Sequence, residues 1–329
     1  MKLKTPVARL NPKEERLGFQ PAYNSAKFAH DTDTTVSIGS RLDKHYKKWG
    51  FIEYYKGFSK GSRAIRPADI NAALARYQLK GIEFGRWVTN EDAYNYLAAL
   101  VVALDDFAKV LGWQNIGLDR VVGIAFGARG MGRALAHFEP GSYMINLTRY
   151  KRYITDPLTG RTVPTAKTKR FAYTGGVGSL AHEYGHALDY FFGTYIDQSK
   201  DSLSLSGGRS TALLAGNPWK NGTLRWQMHL VLLQYQSTAS YKKLHTYLTG
   251  KGEGDSYWLR HNELWARLFE QWVEYRMAEK GIENDFLHQA KYDRFAQGKA
   301  PIYLTAAEMK VLAPTVSYLI KSIAAEIKK

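Results

Sequence analysis

The residues best suited to chemistry stand together in the run His182-Glu183-Tyr184-Gly185-His186. On a helix, side chains four apart share a face, one turn above another. Two imidazoles at that spacing can hold one zinc ion, and Glu183 can take a proton from a water on the metal. Leu180, Ala181, Ala187, Leu188, Phe191 and Phe192 make the segment apolar on most sides, which predicts a buried helix. Buried histidine and glutamate side chains need partners, because an unpaired buried polar group is costly, and a shared metal would satisfy all three. Gly185 costs about 1 kcal/mol of helix stability against alanine, so a close-packed neighbour or a substrate is expected there. Asp189 can accept the outer ring proton of a ligand histidine, and it reads equally well as a surface or capping carboxylate.

Two histidines do not complete a catalytic zinc site, which usually has three protein ligands and an open position. The chain of 329 residues has no cysteine, so the third ligand must be His, Asp or Glu and disulfides are excluded. Segment 262–274 offers Glu263, Arg267, Glu270 and Glu274 along one helical face. Glu263 is the first choice: a carboxylate suits a helix start, and Ala266 allows a neighbouring helix to approach. Glu270 is the alternative third ligand. By charge pattern alone, the same stripe reads as a solvated face with an internal Glu–Arg pair. A donor for a developing oxyanion is also needed; Tyr257, Arg260 and His261 lie just upstream of Glu263 and Arg267 just beyond it, and none is singled out by spacing. Histidines 30, 137, 229, 245 and 288 show no ligand spacing.

Several elements must position these groups. Residues 65–85 begin like a helix, with Pro67 early, and 81–87 read as a turn-rich connection. A helix over 90–111 follows, with Asn90 as its cap and Leu97, Leu100, Leu104 and Phe107 at helical spacing. Residues 121–126 read as a strand, and 134–138 and 143–147 as two more around the turn Glu139-Pro-Gly-Ser142. An exposed strand edge beside the metal helix could pair with an extended peptide, and His137 falls on that strand. Residues 193–222 are Ser- and Gly-rich and read as loop. Helices are expected over 224–235, 241–248, 262–277 and 306–328, the last capped by Thr305.

Size and composition fit one large domain or two ordinary ones, with 45% hydrophobic residues for a core. No apolar run is long enough to span a bilayer and the N-terminus lacks a signal-peptide core, so a cytoplasmic protein without a membrane partner is expected. The net charge of +16 favours acidic partners. Arg149, Lys151, Arg152, Arg161, Lys167, Lys169 and Arg170 cluster with Tyr150, Tyr153 and Phe171, a pattern able to hold phosphates and stack bases, or simply a solvated basic hairpin. No helix-turn-helix or zinc finger is visible, which argues against sequence-specific DNA reading.

An ordered string of motifs carries a family resemblance. It comprises Lys80-Gly-Ile-Glu-Phe-Gly-Arg-Trp-Val88, Ile124-Ala-Phe-Gly-Ala-Arg-Gly130, Ala136-His-Phe-Glu-Pro140 and Ile145-Asn-Leu-Thr148. Gly178-Ser-Leu-Ala-His-Glu-Tyr-Gly-His-Ala-Leu-Asp189 and Glu263-Leu-Trp-Ala-Arg-Leu-Phe-Glu270 complete it. Over residues 65–329 the chain resembles the zincin-like large polyvalent protein-associated domains of phage and conjugative-element proteins. The resemblance implies an α+β zincin-like metallopeptidase: a small mixed or antiparallel sheet, an edge strand over the active-site helix, and a mostly helical C-terminal half. It implies His182, His186 and a glutamate of the Glu263 segment as zinc ligands, Glu183 as base, a polypeptide substrate, and a mobile-element role against host factors. Residues 1–64 would be a basic N-terminal extension and 150–177 a basic insertion. Two rivals remain at this point: a nucleic-acid-binding or DNA-escorting protein on the same scaffold, and a structural zinc domain without turnover.

Overall fold

A computed structural model describes residues 67–85, 90–129, 136–148, 153–155, 161–164, 178–197, 203–212, 216, 218–254, 256–282, 284, 286–288 and 301–328. The proposed extension 1–64 lies outside them, as do Arg149, Lys151, Arg152, Lys167, Lys169 and Arg170.

Helix α1 (Pro67–Tyr77) ends where Gln78 takes a φ of 52°, in the left-handed region that breaks a helix. The expectation of a turn-rich stretch at 81–87 needs correction. Ile82–Phe84 form strand β1, buried throughout and paired in parallel with β2 (Gly123–Phe126). Three residues are too few to display an alternation. Helix α2 (Asn90–Leu111) follows, and its Leu97, Leu100, Leu104 and Phe107 are buried.

Strands β3 (Ala136–Glu139) and β4 (Met144–Leu147) are antiparallel across the turn read from Glu139-Pro-Gly-Ser142. The sheet order is β1-β2-β4-β3, so it is mixed, and β3 lies at an edge among the described strands. Register sorts the two faces. Ile82, Ile124, Ile145 and Phe138 stand in one row, and Phe84, Phe126, Leu147 and Ala136 in the next. Directly paired residues point to the same side, so these rows make the face that joins the main core. The opposite face carries Glu83, Ala125, Asn146 and His137. There the buried Arg129 pairs with Glu83 and Glu139, each at 2.8 Å. A small hairpin, β5 (Tyr153–Thr155) with β6 (Thr162–Pro164), occupies part of the expected insertion.

The rest of the described chain is helical. Helix α3 (Leu180–Phe191) carries the two histidines and runs on into a π-helical turn, Phe192–Ile196. Helices α4 (Leu224–Ser237) and α5 (Ala239–Thr249) precede a 3-10 turn (Tyr257–Leu259), α6 (His261–Glu279) and α7 (Ala306–Ile327). The coarse expectation of an α+β protein with a helical C-terminal half therefore stands. Among the described residues no helix is long and apolar enough to cross a membrane.

One carboxylate starts two of these helices. Glu308 accepts from Thr305 N (2.9 Å) and Thr305 Oγ1 (2.9 Å) in the capping box of α7. It also accepts from Ser240 N (2.9 Å) and Ser240 Oγ (2.5 Å) at the start of α5. Burial pushes its pKa up, but the hydrogen bonds from Ser240 and Thr305 outweigh burial and bring it down to about 2. A folded-state pKa below the unfolded one means that the stabilisation is complete above the unfolded value and fades as pH falls toward about 2. Glu308→Ala is expected to cost about 1–2 kcal/mol at neutral pH, by analogy with lost helix caps. In urea titrations the gap from wild type should narrow between about pH 4.5 and pH 2.

Candidate metal centre

Helix α3 packs most extensively against α6, and Gly185 sets how close they come. A Cβ built there would stand 3.2 Å from Ala266 Cα and 3.1 Å from Phe269 Cδ1. The Gly185 carbonyl in turn accepts from Trp265 Nε1 at 2.9 Å. A close neighbour, as expected, explains the glycine, and that neighbour is the helix carrying Glu263. Gly185→Ala gains helix propensity of about 1 kcal/mol but must push a backbone away. A net loss of about 1–2 kcal/mol by denaturant unfolding is expected, as for overpacked cores.

The close approach brings three candidate ligands together. His182 Nε2 lies 3.5 Å from Glu263 Oε2, and His186 Nε2 lies 3.5 Å from Glu263 Oε1. One ligand atom from each residue falls within 4.8 Å of the other two, and no other such group occurs among the described residues. A separation of 3.5 Å is long for a hydrogen bond. It suits two ligands each about 2.0–2.1 Å from one tetrahedral ion, which stand roughly 3.3–3.5 Å apart. Glu263 Oε2 is buried and makes no hydrogen bond. A buried carboxylate oxygen without a donor is costly, and a cation at this point would supply what it lacks. The residues present therefore fit a zinc ion.

Charge points the same way. Glu183, Glu263 and Glu270 are all buried around His182 and His186. Burial favours neutral forms, yet His182 and His186 hold the Glu263 carboxyl well below its usual range. Burial opposes protonation of His182, but Glu263 and Glu270 outweigh it and raise the ring to about 10. Burial pushes Glu183 up, while His182 and His186 pull it back. Its carboxylate makes no hydrogen bond among the described residues and feels Glu263 and His137 besides the two histidines. Edge strand β3 thus runs close to the base candidate, and Phe138 packs on Tyr190, one turn beyond His186, at 5.9 Å between ring centroids.

The neighbouring roles differ from the sequence reading. The stripe on α6 is not a solvated face: Glu263, Arg267 and Glu270 are buried, and Glu274 alone of the four is exposed. Glu270 is outside the three-residue group and serves the other nitrogen of His182, with Oε2 3.3 Å from Nδ1. It holds the place that was offered to Asp189. Asp189 instead accepts from Ser206 N (2.8 Å) and Ser206 Oγ (2.6 Å), pinning the loop after α3. Gly193 leaves room for that loop, since a Cβ there would meet the Ser204 and Leu205 backbones at 2.6 Å.

His261 Nδ1 lies 3.1 Å from Ser206 O, on the loop that Asp189 pins. The Arg267 guanidinium donates to the Trp258 carbonyl and lies over the Trp258 ring at 5.5 Å, so it braces the 3-10 turn. Tyr257 on that turn is close to the site: burial, then Glu263 and Glu183, push its phenol above the ordinary range. Sequence reasoning missed His288 and Tyr303. His288 Nδ1 lies 3.0 Å from Glu270 Oε1, and Tyr303 OH donates to Glu270 Oε2 at 3.0 Å. Burial among Leu268, Phe269 and Trp272 was the signal that Glu270 needed such partners.

Residues 249–327 match the family model of large polyvalent protein-associated domain 1. The match spans α6 and α7, including Glu263 and Glu270, and leaves out the histidine-bearing α3. It covers less than half of the chain. No curated protein and no solved structure matches the chain.

Proposed function

We propose that the protein is a zinc-dependent metallopeptidase of the zincin-like, Glu-liganded type. The observation that carries this reading is the buried Glu263 carboxylate, whose Oε2 makes no hydrogen bond and whose two oxygens each stand 3.5 Å from a ring nitrogen, Oε2 from His182 Nε2 and Oε1 from His186 Nε2. His182, His186 and Glu263 would hold zinc, leaving a position open. Bound there, zinc would lower the pKa of water toward about 7 and polarise a carbonyl.

The chain's own groups supply the rest. Glu183, beside both ligand histidines, takes the proton from the attacking water and passes it to the leaving peptide nitrogen. The Tyr257 hydroxyl donates to the developing oxyanion. Strand β3, at an edge among the described strands, would pair with an extended polypeptide and hold its scissile bond across α3. The match to large polyvalent protein-associated domain 1 supports a phage or mobile-element context, in which host proteins would be the substrates. Incubation of an unstructured polypeptide with zinc-loaded protein tests the reading. Cleavage should disappear on chelation and return with zinc; cleavage indifferent to the chelator would contradict it.

The net charge of +16 favours a second reading, a nucleic-acid-binding protein on the same scaffold, or a peptidase of DNA-bound proteins. Salt-dependent DNA binding unaffected by Glu183→Gln would support it.

A further inference from the structure

Building on the zinc reading, we infer that His288, acting through Glu270 and assisted by Tyr303, is the positioning residue that fixes the ring of His182 for metal binding. Two carboxylates of α6 grip opposite nitrogens of His182: Glu263 Oε2 at 3.5 Å from Nε2, and Glu270 Oε2 at 3.3 Å from Nδ1. A neutral imidazole has one N–H and one lone pair. If Nδ1 gives its hydrogen to Glu270, the lone pair is left on Nε2, facing Glu263 and His186. The tautomer suited to the metal is therefore selected by where Glu270 stands.

Glu270 is itself held on both oxygens. His288 Nδ1 is 3.0 Å from Oε1, and Tyr303 OH donates to Oε2 at 3.0 Å. His288 Nε2 lies 3.2 Å from Glu274 Oε2, an ion-pair contact without hydrogen-bond alignment. Carboxylate and imidazole thus alternate along α6, from Glu263 through His182, Glu270 and His288 to Glu274.

The segment that carries His288 also grips the ligand helix directly. Gly178 N donates to Phe286 O (3.1 Å), and Ala181 N, next to His182, donates to Leu287 O (3.1 Å). Asn284 anchors this segment through Nδ2 to the buried Asp106 (2.9 Å) and accepts from Leu287 N on its side-chain oxygen (3.3 Å). One short stretch therefore sets both the start of α3 and the partner of its first ligand.

The test compares full-length wild type, His288→Leu, His288→Gln and Tyr303→Phe by zinc competition against a chelator and by the visible spectrum of the cobalt-substituted protein. Loss of an outer partner of a ligand histidine typically weakens metal binding about 10–100-fold. His288→Leu should fall in that range and shift the cobalt bands. His288→Gln, which keeps a donor toward Glu270, should recover most of the loss. Tyr303→Phe, a milder change that serves if His288→Leu does not fold, should weaken binding in the same direction. Wild-type affinity and spectrum in folded His288→Leu, or in Tyr303→Phe if that variant alone folds, would overturn the inference while leaving the zinc site standing. Wild-type protein that takes up neither metal would overturn the zinc reading and this inference with it.

Discussion

Glu183→Gln is expected to bind zinc as tightly as wild type and to lose about 10²–10⁴-fold in peptidase turnover, the usual range for a general base. The two outcomes separate because Glu183 is outside the group formed by His182, His186 and Glu263. It stays within electrostatic reach of all three. Glutamine keeps the shape of the side chain and cannot accept the proton. Single-turnover cleavage with metal content measured on the same sample is the check. Wild-type turnover in this variant would remove Glu183 as the base.

Glu263→Ala carries the second large effect. Zinc affinity should fall by roughly two orders of magnitude or more, taking about 10–16 kcal/mol for a four-ligand structural site as the scale. The fold should survive, because α6 is held against α3 by Trp265, Ala266 and Phe269, independently of the carboxylate. Glu270→Gln should be milder, since Glu270 touches His182 on the nitrogen opposite Glu263. If Glu270→Ala lost zinc and Glu263→Ala kept it, the two glutamates would have to exchange roles. Chelator competition distinguishes the variants.

What could be read from sequence follows from what spacing encodes. The four-residue interval in α3 fixed the relation of His182 to His186 before any coordinates, because a helix admits one answer. Glu263 was reachable because Ala266, three residues on, marks a contact where helices meet closely. Strand β1 was not reachable, since Ile82–Phe84 are three buried residues beside β2 with no alternation to display. Glu270 stands where Asp189 was expected, for a reason local spacing cannot supply. Which carboxylate meets His182 Nδ1 depends on the crossing of α3 over α6, while Asp189 faces the Ser206 loop. His288 depends on the chain turning back after α6, and nothing periodic announces that return. The charge pattern on α6 misled because it cannot tell a polar stripe facing solvent from one facing a buried site.

The proposed function requires a metal ion among His182, His186 and Glu263. Anomalous scattering from crystals of zinc-loaded protein, recorded on either side of the zinc edge, tests it most directly. One peak is predicted, about 2.0–2.2 Å from His182 Nε2, His186 Nε2 and a Glu263 oxygen. Crystals from zinc-saturated protein with no peak there, and these side chains as they stand here, would contradict it.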